Sequence, residues 1–120
     1  MTILIIEDNQ EMRRIIKAIV ADLAHRIEER GDGSEALAAY LACRPDWVLM
    51  DIRLPGLDGI AAVRQIRARD PQAHVVMVTQ YDDEDLRRAA AMAGASGYVL
   101  KDNLLPLRKL LIEGQAKCAV

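Results

Sequence analysis

Four short apolar runs, each closed by a polar residue, punctuate the chain. Ile3-Leu4-Ile5-Ile6 leads into Glu7-Asp8, Val48-Leu49-Met50 into Asp51, Val75-Val76-Met77-Val78 into Thr79, and Tyr98-Val99-Leu100 into Lys101. Uninterrupted runs of this length read as strands of a parallel sheet, buried on both faces. Between them the apolar period becomes helical. Asn9 precedes Met12, Ile15, Ile16, Ile19, Val20 and Leu23, which predicts a capped helix with all six residues facing inward. His25 to Arg30 predicts a short polar strand suited to a sheet edge. Gly31-Asp32-Gly33-Ser34 forms a turn and cap, and a second helix follows with Ala36, Leu37, Tyr40 and Leu41 inward until Pro45. A turn-rich loop, Leu54-Pro55-Gly56-Leu57-Asp58-Gly59, opens a third helix buried through Ile60, Val63 and Ile66 and closed by Asp70-Pro71. Asp82 to Asp85 begin a fourth helix, where the helix dipole favours acids. Its apolar stripe is Leu86 and alanines, so it should pack weakly. A fifth helix runs from about Leu104, with Pro106 in its first turn and Leu107, Leu110 and Leu111 inward.

Five βα units in succession predict an α/β fold: a (βα)5 doubly wound, five-stranded parallel sheet with right-handed crossovers. The flavodoxin-like strand order 2-1-3-4-5 puts the polar second strand at an edge and joins strands one and three at the topological switch point. All strand C-termini then emerge along one edge, where ligands bind in such sheets. Three carboxylates, a hydroxyl and an ammonium would converge there.

The length of 120 residues predicts one domain over 1–120. With 52% hydrophobic and 28% charged residues the composition is that of a soluble globular protein. A net charge of −2 argues against direct nucleic-acid binding. No apolar stretch has the length of a membrane span, and no signal-peptide layout is present. Cys43 and Cys118 match no metal or redox spacing and are expected as free thiols in a reducing cytoplasm. With no Phe in the chain, stacking platforms for single strands or flavin are not expected. His25 and His74 have no neighbour at ligand spacing and are expected at the surface, and Arg64, Arg67 and Arg69 as a solvated helix face.

A hard cation such as Mg²⁺ takes one or two carboxylates plus waters and a phosphate. Asp8 and Asp51 could supply the carboxylates, Glu7 a further ligand directly or through water, and a loop carbonyl such as that of Arg53 the rest. With charge neutralised, Asp51 could attack phosphorus as a nucleophile, while Lys101 and the Thr79 hydroxyl stabilise the phosphoryl oxygens. Singly, each residue has a plainer reading. Glu7-Asp8 could be a solvated strand end, Thr79 a hydroxyl bonding backbone, Lys101 a surface lysine and Tyr98 an edge-strand aromatic. Their shared sheet edge favours the joint reading. Two enzymes compete with it. Gly31-Asp32-Gly33-Ser34-Glu35-Ala36 fits a dinucleotide fingerprint with Asp51 about 20 residues on, yet its strand is polar and ill-suited to a sheet centre. An aspartate-based phosphatase of the dehalogenase type needs an acid two residues past its nucleophile, and position 53 is Arg.

Taken together, Glu7-Asp8, Asp51 with Leu54 to Gly59, Thr79, and Gly97-Tyr98-Val99-Leu100-Lys101 resemble a response-regulator receiver domain of bacterial two-component systems, over essentially the whole chain. The resemblance implies that Asp51 accepts a phosphoryl group from a sensor histidine kinase, with Mg²⁺ on Glu7, Asp8 and Asp51. It implies that Thr79 moves toward the phosphoryl group and Tyr98 turns inward, remodelling the face of the fourth helix, fifth strand and fifth helix, a possible homodimer surface. It implies a phosphoacceptor, not an enzyme acting on other substrates. Arg53 and Tyr81 flank the site and should screen the acyl phosphate from water. Met12, Arg13, Lys17 and Asp58 are candidates for kinase specificity. Asp102 follows Lys101 where many receivers have proline, so a trans bond is expected. Lysine followed by aspartate resembles the subfamily with a helix-turn-helix DNA-binding output domain and a role in transcription. That domain is absent from this chain, which favours an excised receiver over a natural single-domain regulator. A receiver-like interaction module that takes no phosphate is the alternative.

Overall fold

β1 (Thr2–Ile6) is buried throughout, and its alternate side chains part to opposite faces of a sheet. The protein, a computed structural model describing residues 1–118 and side chains through Gly114, adds β2 (Arg26–Arg30), β3 (Trp47–Met50), β4 (Val75–Thr79) and β5 (Gly97–Leu100). All pair in parallel, in the order β2-β1-β3-β4-β5. The predicted order and the polar edge strand are both present. Charged residues on β2 pair along that edge, Arg26 and Arg30 both with Glu28, which discourages pairing with another chain.

The helices cover both faces. On one side Ile3, Ile5, Leu49, Val76 and Val78 meet Ile16 and Val20 of α1 (Gln10–Val20) and Leu107 and Leu111 of α5 (Leu105–Cys118). On the other, Leu4, Ile6, Val48, Met50 and Met77 meet α2 (Ala36–Cys43), α3 (Gly59–Arg69) and α4 (Glu84–Ala93). Asn9, Asp58 and Asp83 cap α1, α3 and α4, each accepting a backbone N–H three residues on. The buried contribution of α4 is Ala90 and Ala93, with Leu86 half-buried, so its light packing is as expected. No peptide bond is cis among the described residues, Lys101–Asp102 included. Nor is any described helix long and apolar enough to cross a membrane.

Several expectations need correction. Ile15 is 42% exposed, because Ile16 and Val20 define the buried stripe and Ile15 falls at its edge beside the strand-end cleft. Arg67 is not simply solvated: its Nη1 donates to the Ala73 carbonyl at 3.1 Å, and its stem lies against Gly94. His74 is half-buried, its ring 5.1 Å from that of Trp47, a residue that begins β3 earlier than the apolar run suggested. Cys43 is a free, half-buried thiol; the Cys118 thiol lies outside the described side chains.

The fingerprint-like glycines have a packing explanation. Gly33 donates its N–H to the Pro55 carbonyl at 3.0 Å, and a Cβ there would stand 1.7 Å from the Leu57 carbonyl oxygen. The β3–α3 loop thus packs directly on the backbone at Gly33. At Gly31 an added Cβ would come 3.1 Å from the far end of the flexible Arg13 side chain and no nearer than 3.8 Å, an ordinary contact, to the backbone of Glu7 and Asp8. We predict that Gly33→Ala lowers unfolding stability by roughly 1–3 kcal/mol, as overpacking against backbone does. Gly31→Ala should stay within about 0.5 kcal/mol, as surface changes usually do. Urea denaturation of the two variants checks the contrast.

Candidate functional site

Parallel register assembles the site. Ile6 pairs with Met50, so Glu7 and Asp51 leave adjacent strands side by side. Thr79 pairs with Leu100, which carries Lys101 one step past the end of β5. Backbone bonds fix these ends: Glu7 N–H donates to Arg30 O at 3.0 Å, Asp51 N–H to Ile6 O at 3.0 Å, and Lys101 N–H to Thr79 O at 2.8 Å. Gly59, at the start of α3, lets that helix press against Asp51, since a Cβ there would lie 1.8 Å from the Asp51 carbonyl oxygen.

Glu7 and Asp51 are both buried, at 1% and 5% exposure, whereas Asp8 is exposed. One carboxylate oxygen from each of the three lies within 4.8 Å of the others. Lys101 Nζ donates to Asp51 Oδ2 at 2.8 Å and stands 2.8 Å from Glu7 Oε2. One ammonium is thus shared at equal distance between two buried carboxylates. Asp51 Oδ1 accepts the Ile52 N–H at 2.7 Å, and Glu7 Oε1 accepts that of Asn9 at 3.1 Å. Burial and then the Asp51 charge push the Glu7 carboxyl above its usual range, against the pull of Lys101. Burial disfavours the Lys101 ammonium, but Asp51 and Glu7 together outweigh it and hold its pKa above the usual value. An excess of buried negative charge suits a hard divalent cation, and Glu7, Asp8 and Asp51 could hold one.

A cleft of about 350 Å³ opens over these groups, walled by Met12 and Ile15 of α1 on one side and by Arg53 and Tyr81 on the other. The Arg53 guanidinium lies 5.2 Å from the centre of the Tyr81 ring, cation over π face. Thr79 is fully buried behind the cleft wall, and its Oγ1 accepts the Tyr81 N–H at 3.2 Å. Tyr98 is half-buried, and its hydroxyl donates to the Tyr81 carbonyl at 2.6 Å. The structure therefore brings Glu7, Asp8, Asp51, Arg53, Tyr81 and Lys101 to one cleft and sets Thr79 and Tyr98 behind it, both bonded to the Tyr81 backbone. Sequence reasoning missed two neighbours. Ile15 was assigned to the core, and Arg87, whose guanidinium lies 4.5 Å from the Tyr98 ring centre, carried no local signal. Only the pairing of β5 with β4 brings that ring to α4.

Removing the Lys101 ammonium would leave Glu7 and Asp51 uncompensated. We predict that Lys101→Met costs roughly 2–4 kcal/mol at pH 7, near the lower end for a broken buried pair. A Glu7 carboxyl pKa raised in the folded state makes folding take up a proton, so stability should recover as pH falls from 7 toward the ordinary Glu value of 4.5. Thermal denaturation across that range checks it; a loss independent of pH would assign Lys101 a packing role only.

Comparison with known proteins agrees with this arrangement. The family described as "Response regulator receiver domain" matches residues 3–111. The chemotaxis protein CheY of Halobacterium salinarum is 35% identical over 99 residues, 82% of each chain. The DNA-binding transcriptional activator DevR/DosR of Mycobacterium tuberculosis is 34% identical over 102 residues, which span 83% of this chain but 47% of that protein. The regulatory protein AtoC of Escherichia coli is 31% identical, and the match spans 96% of this chain and 26% of that one. Among solved structures, the BeF3-activated N-terminal receiver domain of Klebsiella pneumoniae RstA superposes with a TM-score of 0.85 at 27% identity, covering 94% of this chain and 96% of that one. From the parallel sheet, the acidic strand ends and these relatives together, the chain belongs to the response regulator receiver domain family.

Proposed function

We propose that this receiver takes a phosphoryl group from the phosphohistidine of a sensor histidine kinase onto Asp51, and that the resulting change of shape controls an output. One observation carries the reading: three carboxylates converge within 4.8 Å at the switch-point edge of the sheet, with the Lys101 ammonium 2.8 Å from two of them. Glu7, Asp8 and Asp51, with the Arg53 carbonyl, would hold Mg²⁺, which when bound offsets negative charge on the carboxylates and the incoming phosphoryl group. An Asp51 carboxylate oxygen attacks phosphorus as the bond from phosphorus to the donor nitrogen breaks, and the electron pair leaves with the imidazole. Lys101, already within bonding distance of Asp51, is placed to follow the phosphoryl oxygens as they arrive. For the Thr79 hydroxyl to reach them it must give up the Tyr81 N–H, and the Tyr98 hydroxyl bonded to the same residue responds. The lightly packed α4 beside them is the element most readily shifted.

The chain thus serves as a cytoplasmic phosphoacceptor, catalysing only its own phosphorylation and slow dephosphorylation. The name of DevR/DosR, a DNA-binding transcriptional activator, supports a transcriptional output, for which we propose a separate helix-turn-helix domain, with 1–120 as the receiver. The face formed by α4, β5 and α5 is the proposed homodimer surface, and direct nucleic-acid binding by this domain is not proposed.

Incubation with Mg²⁺ and acetyl phosphate, followed by intact mass spectrometry, tests the assignment. One phosphoryl group should be added, and none in Asp51→Asn; labelling that persists in that variant would place the acceptor elsewhere. The Arg53–Tyr81 stack over the cleft should also restrict water. Replacing both residues by alanine is expected to shorten the phosphoryl half-life, by about tenfold if the cover is worth one cation–π contact and its desolvation. Decay curves of the purified phosphoprotein measure it.

A further inference from the structure

Behind the cleft, one residue is gripped from several directions. The Tyr81 N–H is held by Thr79 Oγ1 at 3.2 Å, its carbonyl by the Tyr98 hydroxyl at 2.6 Å, and its ring by the Arg53 guanidinium at 5.2 Å. The Tyr98 ring is in turn covered by Arg87 of α4, with the guanidinium 4.5 Å from its centre. Arg87 is itself oriented by Asp82, to which Nη2 and Nε donate at 3.1 and 3.3 Å. An ion pair this exposed adds little stability. Its effect here is directional: it turns the planar guanidinium onto the ring, where the quadrupole attracts it.

We propose that Arg87 is a positioning residue for the acyl phosphate site: through the Tyr98 ring and the Tyr81 peptide it holds the Arg53–Tyr81 cover in place over Asp51. This rests on the phosphoacceptor reading above. Loss of the phosphoryl group needs water. Its oxygen bonds to phosphorus, the bond from phosphorus to the Asp51 oxygen breaks, Asp51 recovers its carboxylate, and inorganic phosphate leaves with the water's protons shared between it and solvent. Water must pass the cover to reach phosphorus. The Tyr98–Tyr81 hydrogen bond fixes the peptide that carries the Tyr81 ring, and Arg87 biases Tyr98 toward making that bond. Neither Arg87 nor Tyr98 is on the cleft wall, and the contact by which Tyr98 reaches the cover is its bond to the Tyr81 carbonyl, so the Tyr81 background separates this route from one through Thr79.

The test compares decay of the phosphorylated full chain, formed with acetyl phosphate and Mg²⁺, in single and double variants. Arg87→Ala and Tyr98→Phe should each shorten the half-life by about three- to fivefold, the equivalent of one cation–π contact or one hydrogen bond. Arg87→Lys, which keeps a cation over the ring, should restore most of it. In a Tyr81→Ala background, where no ring remains to be placed, Arg87→Ala should change nothing further. A purely structural role for Arg87 would lower the melting temperature yet leave the half-life alone. An unchanged half-life in Arg87→Ala, or an equal effect with and without the Tyr81 ring, overturns the proposal while leaving Asp51 as acceptor. A parent chain that takes no phosphoryl group overturns both.

Discussion

Everything at the functional edge depends on an imbalance of buried charge. Two carboxylates, Glu7 and Asp51, are drawn out of water side by side because β1 and β3 are neighbours in register. One ammonium serves both. Desolvation makes such a group of charges costly unless it is closely compensated. Lys101 compensates in part, and Asp8 at the open side adds negative charge toward solvent. The result is a site that is stable enough to fold and still short of positive charge. That shortage is a physical basis for attracting a cation, and for the lysine to change partners when a phosphoryl group arrives.

How far the sequence anticipated this depends on the range of the interactions concerned. The strands, their order and the convergence of Glu7, Asp8, Asp51 and Lys101 were legible because uninterrupted apolar runs announce buried strands and parallel topology fixes where they end. The cap at Asn9 and the acidic start of α4 were legible because both are local devices. Ile15 was misplaced because the apolar period cannot distinguish the edge of a buried stripe from its centre. Arg67 was misjudged because its partner, the Ala73 carbonyl, lies beyond the turn that ends α3. The Arg87–Tyr98 contact joins two elements whose proximity only the folded sheet establishes. Long side chains reaching between elements are where periodicity stops being informative.

The helices hold the sheet unequally. The side covered by α1 and α5 is locked by Ile3, Ile5, Leu49 and Val76 against Ile16, Leu107 and Leu111, all of them buried. The other face is buried under α2 and α3 through Tyr40, Ile60, Val63 and Ile66, and it is α4 that relies on alanines, with polar contacts gathered at the loop that carries Tyr81. A rigid platform thus adjoins an element that can be displaced with little loss of apolar contact.

Trp47, the single tryptophan in the chain, begins β3 under the His74 ring, whereas Asp51 follows the other end of the same strand. Four residue steps separate them, roughly 13 Å at ordinary strand rise. The tryptophan fluorescence of this protein therefore looks out from the end of the sheet opposite the cleft. It will follow unfolding of the core and be nearly blind to what enters the cleft. A tryptophan signal for that event has to be introduced at the other edge.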